Sequence, residues 1–112
     1  MNIKIPNTAV EFEFCDGTKT ELNLAFYKLY QMKAKYKNLY ERYMKIMSKN
    51  RTDEIETITI LYTAYVCAHL DEENVMSEEE FMILCGSDRV SVQEAAYSLM
   101  RPKKHQASDS HS

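Results

Sequence analysis

Residues 10–30 read VEFEFCDGTKTELNLAFYKLY, and within them the apolar spacing changes from every second residue to every third or fourth. Val10, Phe12 and Phe14 alternate with Glu11 and Glu13, the pattern of a strand with one buried face. Cys15-Asp-Gly-Thr18 follows, and its Asp16-Gly17 pair is a hairpin signal because both residues tolerate positive φ. Lys19 to Asn23 returns as the partner strand, with Leu22 in the apolar set. From Leu24 the spacing is helical. The expected fold is therefore α+β and mainly α. A small N-terminal β-hairpin or sheet over 1–23 precedes a helical body of about four helices over 24–101. Upstream, Asn2-Ile-Lys-Ile5 predicts a further short strand, stopped by Pro6.

Ala25, Leu29, Met32, Tyr36, Leu39, Tyr43 and Ile46 alternate steps of four and three, which predicts one continuous helix of about six turns. A second stripe, Phe26, Tyr30, Tyr40, Met44 and Met47, widens the apolar face beyond what one neighbour covers. After Ser48-Lys-Asn-Arg51, Thr52 or Asp53 caps a second helix running to about His69, with Ile55, Ile58, Leu61, Tyr62, Tyr65 and Val66 inward. Asp71 to Asn74 is a polar connector.

The acidic stretch that follows is not a calcium loop. Counted from Asp71, Val75 falls at position 5, Met76 at 6 and Met82 at 12, where oxygen ligands and a glycine are needed. Ser77-Glu-Glu-Glu80 is instead a capping box, and Gly86 is placed for a left-handed stop after Phe81, Ile83 and Leu84. Ser91-Val-Gln-Glu94 reads as a second box opening a last helix with Val92, Ala95, Ala96, Leu99 and Met100 inward. The tail, 102–112, has no apolar residue but Ala107 and is expected to be disordered.

With 112 residues, 45% apolar and 28% charged, the chain is expected to form one soluble globular domain over 1–101. No secretory signal pattern or membrane-length apolar run stands in it. Cys15, Cys67 and Cys85, odd in number and widely spaced, point to reduced thiols in a cytoplasmic compartment. The net charge of −3 is unevenly spread. Residues 24–51 carry eight Lys/Arg against Glu41, whereas 53–80 carry nine carboxylates and no Lys or Arg. The two halves can pair with each other or with another copy, or simply form solvated faces.

No chemical site is expected. Two glycines exclude a Gly-rich phosphate cradle. Cys67, His69 and Cys85 lack a fourth zinc ligand at recognisable spacing, and Cys67 lies in an apolar run. His105 and His111 stand in the tail without acidic or nucleophilic company, and Glu78, Glu79 and Glu80 are consecutive at a helix start. The expectation is a non-enzyme with no catalytic, cofactor-binding or metal residues. Five tyrosines (Tyr27, Tyr30, Tyr36, Tyr40, Tyr43) accompany Met32, Met44 and Met47 on the first helix, and both residue types favour protein interfaces. Tyr30, Tyr40, Met44 and Met47 are the candidate partner-binding residues.

The order of elements resembles the tail assembly chaperones of long-tailed (siphovirus-type) bacteriophages and prophages of Gram-positive bacteria. The resemblance covers roughly residues 1–100 and is carried mainly by Tyr62 to Met100: the aromatic helix with Cys67-Ala68, an acidic break, Met76-Ser77 before Glu80-Phe81, and a final helix with Glu94 and Tyr97. It implies a protein of the host bacterial cytoplasm, absent from the mature virion, that coats the tape measure protein and keeps it soluble. It also implies a homo-oligomer, and a frameshifted longer product that engages the tail tube protein. Lys103-Lys104 is where adjacent lysine codons can supply an A-rich slippery heptamer. The alternative is a small phage regulator that binds nucleic acid through the basic helix 24–51, where Lys and Tyr interleave. The acidic whole chain and the lack of helix-turn-helix spacing speak against it.

Overall fold

The structure is a computed structural model and describes residues 8–100. The strand expected at Asn2–Ile5, the tail over 102–112 and Lys103-Lys104 lie outside the described residues. Within them the fold is α+β and mainly helical, a two-stranded antiparallel hairpin followed by five helices.

Strand β1 (Val10–Glu13) pairs with β2 (Lys19–Leu22), placing Val10 opposite Leu22 and Phe12 opposite Thr20. Phe12 and Leu22 are buried, while Glu11 and Glu21 face each other on the wet side, where Lys19 lies 4.0 Å from Glu11. The loop between the strands has three residues, 15–17. Phe14 N–H donates to the Thr18 carbonyl at 2.7 Å, and Gly17 N–H donates to the Phe14 carbonyl at 2.9 Å. Only Gly17 takes positive φ, at 89°. Asp16 keeps negative φ and uses its carboxylate to accept from the Thr18 amide and hydroxyl, which holds its pKa below the usual carboxylate value. The Asp-Gly pair thus makes the three-residue hairpin class rather than a two-residue turn with both residues at positive φ.

The expected six-turn helix is two helices, α1 (Phe26–Lys35) and α2 (Lys37–Met47), broken at Tyr36 with φ −127° and ψ 64°. Neither Pro nor Gly stands there, so the cause is packing. A straight helix would hold Leu29 and Tyr43 about 21 Å apart. In the fold Leu29 packs against the cluster of Tyr43, Ile46 and Ile60, which requires α2 to turn back beside α1. Met32 and Leu39, on either side of the break, both enter the main core. Breaking the helix lets both halves of the first apolar stripe cover one neighbour.

That neighbour is α3 (Glu54–Ala68), which packs against α1, α2, β2, α4 (Glu78–Cys85) and α5 (Arg89–Met100). Asp53 is its cap, in a complete capping box with Glu56. Ile60, Leu61, Ala64, Val66 and Cys67 are buried, together with Thr57, Thr59 and Thr63. The threonine hydroxyls are satisfied by donating to carbonyls four residues back: Thr57 to Asp53 at 2.9 Å and Thr63 to Thr59 at 2.8 Å. Ile55, expected inward, is 57% exposed, because the first turn of α3 projects past its neighbours.

The Ser77–Glu80 capping box starts α4 as expected, and Gly86 ends it with φ 64°. The hairpin loop docks on that end: Cys15 N–H donates to the Leu84 carbonyl at 2.8 Å, and a Cβ on Gly86 would lie 3.3 Å from Cys15 Cβ and Sγ. Phe81, fully buried, joins the two layers through edge contacts with Phe14 (5.4 Å) and Tyr62 (5.6 Å). The connector before α4 is strapped to α3 by two tyrosines. Tyr62 Oη donates to the Met76 carbonyl at 2.8 Å, and Met76 N–H donates to Tyr65 Oη at 3.0 Å. Helix α5 begins two residues before the expected box. Asp88, not Ser91, is its cap, accepting from the Ser91 amide at 3.1 Å and hydroxyl at 2.8 Å. A shorter aspartate upstream serves the same amide that the expected box would have left to Glu94.

Candidate functional site

The second apolar stripe of 24–47 is the face left over when the first covers α3. Phe26 is 90% exposed and Tyr30 80%, Met44 and Met47 are exposed, and Tyr40 is half-buried against the core with Lys33 Nζ 5.2 Å over its ring. The fold-back at Tyr36 separates these residues. Met47 swings to the start of α1, where a groove of about 530 Å³ runs between the two helices and the end of α5. Its floor is Leu24, Leu29, Tyr43 and Leu99; exposed Phe26, Tyr27, Met47 and Met100 stand at its rim, and Thr8 closes one end. A second recess of about 290 Å³ continues beyond Met47 and Met100 toward Ala96, Tyr97 and Lys49.

Of the four candidate residues only Met47 lines the groove; Tyr30, Tyr40 and Met44 lie outside it. Met100, expected inward on α5, is 37% exposed and shares both recesses, and Tyr97 beside it is 65% exposed. Sequence reasoning missed this contribution of α5 because a helical stripe shows which residues are apolar, not where a neighbouring helix ends. The available signal was Tyr97 and Met100, three residues apart and off the Val92–Leu99 stripe.

Charge is distributed in two ways around this face. Part of the basic–acidic segregation is consumed within the chain. Arg42 grips Glu78 with two guanidinium nitrogens at 2.9 and 3.0 Å, and Glu78 Oε2 also accepts from the Thr59 hydroxyl at 2.9 Å. The Arg42 bond, with a smaller contribution from Thr59, holds the Glu78 carboxyl below its usual pKa. Lys49 pairs with Glu56, and Lys35 Nζ donates to the Leu70 carbonyl at 2.9 Å. Lys28, Lys33, Lys37, Lys45 and Arg51 make no ion pair with a carboxylate among the described residues. Lys28 Nζ lies 5.6 Å from the ring centre of Tyr27, at the groove rim, and neither recess has a carboxylate in its lining.

The titratable groups elsewhere are structural in their surroundings. Burial pushes the Cys67 thiol up to about 12 and the Cys85 thiol up to about 11, so both are protonated at neutral pH; Cys15 is exposed. His69 holds Nδ1 2.7 Å from the Tyr65 carbonyl and stacks on the Tyr65 ring at 4.6 Å. Glu80 is occupied by the cap of α4, and burial pushes the Tyr62 hydroxyl up to about 12. Among the described residues no three His, Cys, Asp or Glu gather to hold a metal ion, and no helix is long and apolar enough to cross a membrane. His105 and His111 lie outside the described residues.

Comparison with protein-family models, with curated proteins and with solved structures finds no match.

Proposed function

We propose that this chain is a non-enzymatic phage tail assembly chaperone that binds the tape measure protein and keeps it soluble in the host bacterial cytoplasm. The observation that carries the reading is the open apolar groove with Phe26 90% exposed at its rim. Large apolar side chains left uncovered beside a recess mark a surface that a partner covers. Its lining lacks the convergent polar groups that orient a small molecule, so a protein segment is the fitting occupant. The element order shared with tail chaperones supplies the identity of that partner. On this reading the protein self-associates along its filamentous client, is absent from the mature virion, and reaches the tail tube protein only through a frameshifted longer product.

The nucleic-acid reading loses support from the fold. The break at Tyr36 splits the basic stripe between two helices, and Arg42 and Lys49 are already neutralised by Glu78 and Glu56. Co-expression with the tape measure protein encoded beside this gene tests the proposal. The expected outcome is a soluble tape measure protein that co-purifies with this chain and becomes insoluble without it. A tape measure protein of unchanged solubility, together with a salt-sensitive shift of DNA or RNA by this chain, would transfer the assignment to a regulator.

A further inference from the structure

We propose that the groove between α1, α2 and α5 is the seat of an amphipathic helix whose polar flanks are acidic. This rests on the groove's being the client's seat, but not on the client's being a tape measure protein.

The backbone chemistry decides between a helical and an extended occupant. The groove is walled by the ends of three helices and lined by side chains such as Leu24, Tyr43 and Leu99, with no strand edge among its lining residues. An extended peptide laid there would leave its amides and carbonyls unpaired, and each buried unpaired group costs about 1–3 kcal/mol. A helix satisfies its own backbone and presents apolar anchors at i, i+3, i+4 and i+7. The second recess continues the apolar path past Met47 and Met100, so successive anchors can enter successive recesses.

The charge of the flanks follows from what surrounds that path. The Lys28 ammonium stands over the Tyr27 ring at one side of the rim, and Lys49 lines the far recess, followed in sequence by Arg51. Lys28 and Arg51 pair with no carboxylate among the described residues, whereas Lys49 is held by Glu56. The residues after Met100 read Arg-Pro-Lys-Lys. No carboxylate lines either recess. A basic helix seated here would meet uncompensated like charge on both sides; an acidic one meets opposite charge, which sets partner choice and association rate.

Two synthetic peptides of about 20 residues, each long enough to span both recesses as a helix, test the inference. They share a Leu face at i, i+3, i+4 and i+7; one carries Glu on its flanks and the other Lys. Each is labelled with fluorescein and titrated with the full-length chain by anisotropy, at low and at raised salt. The Glu peptide should bind at least about tenfold more tightly than the Lys peptide, and the gap should narrow as salt rises. Phe26→Ser should weaken the Glu peptide about tenfold or more, and Lys28→Glu should shrink the preference between peptides, with circular dichroism unchanged in both variants. Equal binding of the two peptides, or preference for the Lys peptide, overturns the charge assignment and leaves the groove as a seat. If neither binds but the tape measure protein is still captured, the groove is not the seat and the chaperone reading survives. Failure to bind either peptide or the tape measure protein overturns both. An oligomer that Phe26→Ser converts to monomer while neither peptide binds would give the groove to a second copy and likewise overturn the inference.

Discussion

Phe26 and Met32 lie six residues apart on α1, both large and apolar, and the fold gives them opposite fates: 90% exposed against fully buried. Replacing each with a small residue should therefore separate the groove from the core. Met32→Ala removes a fully packed side chain from the main cluster and should cost roughly 2–5 kcal/mol, the transfer of its methylenes plus the cavity left behind. Phe26→Ser removes a ring that touches little and should cost under about 0.5 kcal/mol, since serine is tolerated at a helix start. Urea unfolding followed by circular dichroism at 222 nm reads both. With a slope of about 1–3 kcal/mol/M, Met32→Ala should lower the midpoint by roughly 1 M or more, and Phe26→Ser by no more than about 0.5 M. Equal losses at the two positions would refute the reasoning. The Phe26 ring would then be a buried structural element, the groove would be closed in solution, and the proposed seat would fall with it.

Replacing both Tyr40 and Met44 with Asp tests the rest of the exposed stripe: client capture should weaken while the helical signal stays, and unfolding instead would show both residues to be core. Glu78 has its folded pKa depressed by Arg42, so the stability from this pair is present above the carboxylate's ordinary pKa and lost as pH falls through the depressed value. Glu78→Gln should therefore be destabilised at neutral pH and show a shallower acid limb in a urea-midpoint titration from pH 7 to 3; an unchanged limb would mean the pair contributes nothing. Gly86→Ala should cost about 1–2 kcal/mol, from positive φ and from contact with Cys15, and a neutral result in thermal unfolding would contradict the docked loop. With a thiol reagent under native conditions Cys15 should react fast, while Cys67 and Cys85 should react only as the chain unfolds; prompt reaction of all three would contradict the burial of the latter two.

Much of the secondary structure was legible because it is local. Val10, Phe12 and Phe14 alternate and form the hairpin; Asp53 and Ser77 cap the helices that the chain pattern places after them. The break at Tyr36 was not legible, since no breaker residue stands there and the heptad-like spacing runs through it unbroken. Only the competition of two apolar stripes for one central helix decides that bend, and that competition is tertiary. The start of α5 was misplaced because Asp88 and Ser91 both offer capping oxygens, and sequence alone does not rank them. The candidate site was legible in part. Exposure of Tyr30, Met44 and Met47 fits a stripe too wide for one neighbour, yet the bend parts them and puts Met47 beside Phe26, Tyr27 and Met100. Which residues meet across helices is set by where the helices end.

The groove takes one wall from Thr8 and Leu24–Tyr27 and another from Leu99 and Met100, so its residues come from opposite ends of the described chain. During synthesis those two parts are separated by the whole time the ribosome needs to make the intervening segment, about 4–20 s at 5–20 residues per second. A nascent chain halted anywhere before α5 can form the hairpin and the α1–α2 bend, but it has no second wall. Partner capture is thereby tied to completed translation, and a truncated chain cannot occupy a client it is unable to hold.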